Sequence, residues 1–306
     1  MTTLVFGHTS PDTDSTGSPI IWAWYLNDIE GTAAEPRLLG TPNTEAAWML
    51  ERWGLDTPEM LDDVGAGDKV VIVDTNNPAE LPAGIGQADI RGIIDHHKLV
   101  GGLETKGPID ITIRPLACTA TILHDLMDDA AAQMPEGIKG AMLSCILSDT
   151  LEFRSPTTTD HDRSVAEALA KDLGVSIADL AAEMFAAKSD VSEFSDAELI
   201  RMDSKKYEVG GKSFRVSVLE TTSPDTVLSR KDSLMTAMEE VAREDGVDQV
   251  LLFVVDILNE EATLFVPNDL VRQVAEQSFS TVCGEDTVVL PGIVSRKKQI
   301  IPNLTL

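Results

Sequence analysis

Acid and imidazole side chains gather in four short stretches that lie far apart along the chain. These are Gly7-His8-Thr9-Ser10-Pro11-Asp12-Thr13-Asp14-Ser15, Val73-Asp74-Thr75-Asn76, Asp95-His96-His97 and Leu147-Ser148-Asp149-Thr150. Carboxylate with imidazole is a ligand set for divalent ions such as Mn2+. None of the four stretches carries a thiol, which argues against a structural zinc–cysteine site. Six side chains are candidate ligands: His8, Asp12, Asp14, Asp74, His96 and Asp149. Their four carboxylates would overcompensate one divalent ion but would neutralise two. A two-metal site is the arrangement that activates water and stabilises oxygens leaving phosphorus.

Each stretch alone has an ordinary reading. Asp12 or Asp14 could cap a helix beginning near Thr13. Asp95-His96-His97 could be a solvated loop, and Asp149 a turn residue at a helix end. The coincidence of four such stretches favours the metal. The densest basic run, Arg296-Lys297-Lys298, would be a solvated face in an average protein, but three consecutive cations stand out in a chain this acidic. Other polar features read as structural: His124 as a partly buried helical imidazole, and His161 as a residue at a helix start capped by Asp160. The acid pairs Asp128-Asp129 and Glu239-Glu240 read as solvated helix faces. Cys118, Cys145 and Cys283 read as small core residues, too few and too scattered for a disulfide framework or a metal site.

The elements that must position these residues follow from the hydrophobic pattern. Thr3–Gly7, Val70–Asp74 and Gly92–Asp95 are short apolar runs, the form taken by strands of a parallel sheet covered on both faces. Helical patterns occupy Thr13–Glu30, Thr44–Trp53, Thr119–Ala132, Gly137–Leu147, Asp160–Leu173 and Ile177–Ala187. This alternation predicts a doubly wound α/β domain over residues 1–188, and in such sheets ligands sit beyond the carboxyl ends of the strands. The polar run Lys188–Ser195 breaks the pattern, and residues 189–195 read as a linker or hinge. Residues 196–306 read as a smaller α+β domain. It opens on a hairpin of Lys206–Val209 and Ser213–Leu219 about Gly210-Gly211, then a helix over Thr226–Glu244. Strands Gln249–Asp256 and Ala262–Val266, a helix near Asn268–Phe279, and strands near Val288–Leu290 and Ile293–Ile300 complete it.

The 306 residues include 51 acids and 24 bases, a formal net charge of −27. That charge argues against non-specific nucleic-acid binding, which draws on lysine and arginine, and against docking on an anionic membrane. Aromatic residues are only 5%, leaving little for base stacking. At 43% hydrophobic the chain can build a core, so the acidity belongs to a surface. The N-terminus has neither the basic nor the apolar region of a signal peptide, and no run is long enough to span a membrane. The expectation is a soluble, cytoplasmic protein. A small anion remains admissible as a partner if one site reverses the sign locally.

His8-x-x-x-Asp12-x-Asp14-Ser15, Asp74 in its Val-Asp-Thr-Asn context, Asp95-His96-His97 and Ser148-Asp149-Thr150 resemble, in order, the motif series of the DHH phosphoesterase superfamily. Ser295-Arg296-Lys297-Lys298-Gln299 resembles the signature of its manganese-dependent members, the family II inorganic pyrophosphatases. The resemblance covers nearly the whole chain. One departure is Ser10, where the family more often has Asn; it is not among the ligands. The resemblance implies a DHH-type domain and a DHHA2-type C-terminal domain, with the active site in the cleft between them. It makes His8 and Asp12 ligands of one metal and Asp14, His96 and Asp149 ligands of the other, with Asp74 bridging. Asp95 would orient an imidazole, and His97, Lys205, Arg296 and Lys297 would contact substrate phosphates; Lys206 and Lys298 are left as surface residues. It further implies two Mn2+ per subunit, with Co2+ admissible, Mg2+ arriving with the substrate, and a homodimer joined through the first domain.

The function expected on this basis is hydrolysis of inorganic pyrophosphate to two orthophosphates, by attack of a hydroxide shared between the metals. Asp74, His97, Lys205, Arg296 and Lys297 would be the catalytic residues. The nearest rivals are a short-chain exopolyphosphatase or another phosphodiesterase of the superfamily. Nuclease-type members carry a glycine-rich, histidine-containing motif in the second domain, whereas here Gly210-Gly211 is followed by Lys212 with no histidine nearby. A non-catalytic, metal-dependent polyanion-binding protein is the reading from another class, and it would be favoured by loss of a ligand that this chain retains. The surplus surface acid, which the reaction does not need, reads as adaptation to high salt.

Overall fold

Parallel strands fed by crossover helices make the core of the first of two units, Met1–Lys188 and Ser189–Leu306, in a computed structural model that describes residues 2–306. Its strands are β1 (Thr3–Phe6), β2 (Ala34–Leu38), β3 (Glu59–Met60), β4 (Lys69–Val73), β5 (Asp89–Asp95) and β6 (Asp110–Ile113). They form an all-parallel sheet in the order β3-β2-β1-β4-β5-β6. Alternation along β4 explains its continuous apolar run. Val71 and Val73 pack into one cluster with Val5, Ile94 and the helices, while Val70 and Ile72 pack into another with Phe6, Ile90 and Ile93. Six helices belong to this unit: α1 (Thr13–Trp24), α2 (Thr44–Arg52), α3 (Thr119–Met127), α4 (Glu136–Asp149), α5 (Asp160–Leu173) and α6 (Ile177–Lys188).

The second unit holds α7 (Asp196–Met202), β7 (Ser204–Val209), β8 (Lys212–Thr221), α8 (Asp225–Leu228), α9 (Lys231–Asp245), β9 (Gln249–Asp256), β10 (Glu261–Phe265), α10 (Asp269–Phe279) and β11 (Thr287–Pro291). Its mixed sheet runs β11-β10-β9-β8-β7, with β8 and β9 parallel and the other neighbours antiparallel. Val209 pairs with Lys212, so Gly210 and Gly211 form a two-residue turn. Both have positive φ, 58° and 78°, which glycine adopts without a Cβ penalty.

Several expected elements differ. Strands β2, β3 and β6 carry no apolar run, because β2 contains Pro36 and Arg37 and the other two are short and at the sheet edges. The helix expected over Thr13–Glu30 ends at Trp24 and continues as a π-helical turn, Tyr25–Ile29. Thr226–Glu244 is two helices, broken at Ser229-Arg230. Asp160 does not cap α5: Thr159 does, accepting from the Asp162 N–H while Asp162 reaches back to it in a capping box. The strand expected over Ile293–Ile300 is instead a turn leading into a π-helical turn, Arg296–Ile300. The Gln299 side chain accepts from the N–H groups of Val294 and Ser295, and the Ser295 hydroxyl accepts from the Lys298 N–H. These contacts curl a segment whose apolar content alone reads as extended.

Candidate metal centre

The sheet order reverses between β1 and β4, and a doubly wound sheet opens its ligand crevice there, beyond the carboxyl ends of the strands. His8 follows β1, Asp74 follows β4, Asp95 ends β5 with His96 and His97 after it, and Asp149 is the last residue of α4. Asp12 is the N-cap of α1, its Oδ1 accepting from the Ser15 N–H at 3.0 Å, and Asp14 lies in that helix's first turn. The capping and ligand readings of Asp12 are therefore compatible. Gly7 permits the close approach of β1 to α1, since a Cβ there would stand 2.1 Å from Ser15 Oγ. That hydroxyl accepts from the His8 N–H at 2.8 Å and fixes the backbone of the imidazole.

Asp74 is the junction of the cluster. Its side chain is 2% exposed, and its φ of 59° lies in the left-handed region, costing about 1–3 kcal/mol for a residue with a side chain. Its Oδ2 lies 3.6 Å from His8 Nε2, and its Oδ1 lies 3.4 Å from His96 Nε2 and 3.8 Å from His97 Nδ1. Three groups have ligand atoms all within 4.8 Å of one another: His8, Asp12 and Asp74; Asp14, His96 and Asp149; and Asp74, His96 and His97. The structure thus brings together all six candidate ligands of the first unit, with His97 beside them.

The polar surroundings aim these side chains. Leu116 O lies 3.2 Å from His96 Nδ1, leaving Nε2 to face Asp74 and Asp149, the arrangement that metal-binding imidazoles use. Asp14 accepts from the Thr119 N–H at 2.7 Å and from the Ser18 hydroxyl at 2.6 Å. Asp95 holds His97, accepting from its backbone N–H at 3.0 Å and meeting Nδ1 at 2.9 Å. Burial alone would raise the Asp95 carboxyl, but the hydrogen bonds from His97 and Asn76 outweigh it and hold the group below the ordinary range.

Asp74 and Asp149 behave oppositely. Burial first, then the charges of Asp14, Asp12 and Asp95, push Asp74 well above the usual carboxylate range. Asp149 is raised by burial first, then by Asp14, Asp74 and Asp12, and its Oδ2 is buried without a hydrogen-bond partner. Buried oxygens are normally paired. A carboxylate cluster with an orphan oxygen and imidazole nitrogens turned toward it is a donor set that fits divalent cations, and cations here would reverse the upward shifts.

Two further polar residues brace the candidate ligands: Thr119, which lies outside the four sequence stretches, and Asn76, which closes the second of them. Thr119 bonds Asp14 through its N–H and Asp74 through its hydroxyl, the latter at 3.1 Å. Asn76 donates to Asp95 Oδ2 and to Lys98 O and accepts from the Val100 N–H at 2.7 Å. A cavity of about 340 Å3 adjoins the cluster, lined by His8, Thr75, Asn76, His97 and Lys98 among others. In the second unit, Lys205 is in β7 and Arg296 opens the π-helical turn, its Nη1 donating at 2.8 Å to Asp203 O and to the Asp203 carboxylate. Lys205 and Lys297 are exposed and form no ion pair among the described residues. His124 is half-buried, which lowers its pKa, and Cys118 and Cys145 are buried free thiols.

The DHH family N-terminal domain matches residues 2–149, and the DHHA2 domain matches residues 182–306. A relative from Deinococcus radiodurans, named probable manganese-dependent inorganic pyrophosphatase, is 40% identical over 98% of this chain and 96% of its own. A Lactobacillus acidophilus relative of the same name is 35% identical over 99% and 97%. A Methanococcus jannaschii crystal structure ascribed to the family II inorganic pyrophosphatases aligns with a TM-score of 0.61 at 30% identity, covering 99% of this chain and 98% of that one. Identity at this level along nearly the entire length of both chains means that the chain belongs to the manganese-dependent, family II inorganic pyrophosphatases.

Proposed function

We propose that this chain hydrolyses inorganic pyrophosphate to two orthophosphates and that its cofactors are two Mn2+ ions. The observation that carries the proposal is the Asp74 junction, where one strained, buried carboxylate lies in one group with His8 and Asp12 and in another with His96 and His97, His96 belonging in turn to the group of Asp14 and Asp149. His8 and Asp12 would hold one ion, and Asp14, His96 and Asp149 the other, with Asp74 common to both. Ions so held supply Lewis acidity and lower the pKa of water from about 15.7 towards about 7, so the protein needs no serine or cysteine nucleophile.

The chain's own residues do the positioning. Asp95, held by Asn76, fixes the His97 ring toward substrate. Lys205, Arg296 and Lys297 of the DHHA2 unit bind phosphate oxygens, the guanidinium as a planar fork and the ammonium groups as compact charges. Phosphoryl transfer depends mainly on such placement and charge. The proposal includes Mg2+ arriving with pyrophosphate, Co2+ as an admissible substitute for Mn2+, and a hinge within residues 189–195. It also includes a cytoplasmic location, where thiols such as those of Cys118 and Cys145 stay reduced.

A homodimer joined through the first unit completes the reading. Strand β6 is a sheet edge and Ile111 on it is exposed, and an edge of this kind invites pairing with a second copy. A substrate panel tests the function. With Mn2+-loaded protein, phosphate is expected from pyrophosphate, while cleavage of dinucleotides or long polyphosphate with pyrophosphate left intact would refute the proposal.

A further inference from the structure

Beneath the metal centre lies a charged group that the reaction does not call for. Glu45, in the first turn of α2, is fully buried. Its Oε2 accepts from the Thr13 hydroxyl at 3.0 Å, the Ser148 hydroxyl at 2.8 Å and the Lys188 ammonium at 3.1 Å. Its Oε1 is buried with no hydrogen-bond partner. Thr13 opens α1 and directly precedes Asp14; Ser148 directly precedes Asp149 near the end of α4. Lys188 is the last residue of α6 and of the first unit. One carboxylate therefore clasps the backbone neighbours of two ligands in a single metal group, and its one ion-pair partner among the described residues sits where the chain leaves that unit.

Stability alone is a poor account of this arrangement. The Lys188 side chain is 39% exposed, so its pair with Glu45 is screened and contributes modestly, while the carboxylate it faces is fully buried and is costly to leave without its cation. Three donors on one oxygen and none on the other form an inefficient structural anchor. They make sense as a device that sets the spacing of three helix ends.

We infer that Glu45 is a positioning residue for the Asp14–His96–Asp149 metal group, and that Lys188 holds Glu45 in place from the end of the first unit. This inference rests on the metal reading above. Residues that hydrogen-bond around metal ligands govern affinity by about 10–100-fold when altered. Glu45 acts one bond further out, through Thr13 and Ser148, so about tenfold is expected.

The test is Mn2+ titration of the metal-free full-length chain by calorimetry, with folding checked by circular dichroism. Wild-type protein should bind two ions. Glu45→Gln keeps the shape and an acceptor but loses the charge, and should bind one ion of the two about tenfold more weakly. Lys188→Met should show the same selective loss, and Lys188→Arg should restore binding. A merely structural role would lower the melting temperature of the variants but leave Mn2+ affinity of the folded protein intact. Wild-type affinity for both ions in Glu45→Gln overturns the inference; if that variant does not fold, wild-type affinity in Lys188→Met does so. Wild-type protein that binds no Mn2+ would instead overturn the functional proposal, and this inference with it.

Discussion

At the residue scale, burial and neighbouring acids raise the carboxyls of Asp74 and Asp149 well above the ordinary range. In the metal-free protein they keep protons at pH values where the unfolded chain, with carboxylate pKa values of about 4, has lost them. The folded state then binds more protons than the unfolded one, so the contribution of these groups to stability is full below about pH 4 and is lost as pH rises through the raised values. Metal ligation needs the deprotonated forms, so Mn2+ should release protons on binding and bind more tightly as pH rises. Calorimetry in buffers of different ionisation enthalpy reads this directly, and zero proton release would contradict it. Asp74→Asn should abolish binding of both ions and lower activity by more than about 100-fold, beyond the loss typical of groups surrounding a metal. Loss of a single ion would reject the shared role. Asn76→Ala, which frees Asp95 and through it His97, should cost about 10–100-fold in activity with both ions still bound.

At the scale of elements, the proposed reaction would draw its cations from the second unit, where Arg296 and Lys297 lie on a π-helical turn. Lys297→Ala should lower kcat by about 100-fold, the loss seen when one charge-stabilising donor is removed, with Mn2+ stoichiometry unchanged. Parallel loss of metal would refute its assignment to substrate. This turn also marks where the sequence is hard to read. The ligand-bearing elements β1, β4 and β5 are legible because they are buried on both faces and so nearly uniform in hydrophobicity. Strand β2 is internal but carries Glu35, Pro36 and Arg37, and β6 is a short edge strand, so neither shows the apolar run of β4. The Arg296–Ile300 turn is set by the Gln299 amide and the Ser295 hydroxyl, contacts that periodicity does not register. Thr119 is silent in the sequence for the same reason: its bonds come from the fold bringing α3 against Asp14 and Asp74. Asp12, by contrast, is legible as an N-cap, and the same geometry leaves it beside His8 and Asp74, where the ligand role is proposed.

At the scale of the whole molecule, the net charge of −27 and a small anionic substrate are compatible only if the site is locally positive. Two divalent ions would neutralise Asp12, Asp14, Asp74 and Asp149, and Lys205, Arg296 and Lys297 would add the remainder. The acid left over is a surface property that catalysis does not require. If it reflects adaptation to salt, raising KCl from about 0.1 M to about 1 M, where the screening length falls from about 10 Å to about 3 Å, should raise the melting temperature by several degrees. A melting temperature indifferent to salt would leave the charge without that explanation. The central claim is that two bound Mn2+ ions make this chain a pyrophosphatase. It is tested most directly by stripping the metal, adding Mn2+ in steps, and measuring phosphate release from pyrophosphate against ions bound per chain. Activity should be absent without divalent metal and rise to its maximum as the second ion fills, with two phosphates formed per pyrophosphate. Full activity in the stripped protein, or intact pyrophosphate with both ions bound, would contradict the account.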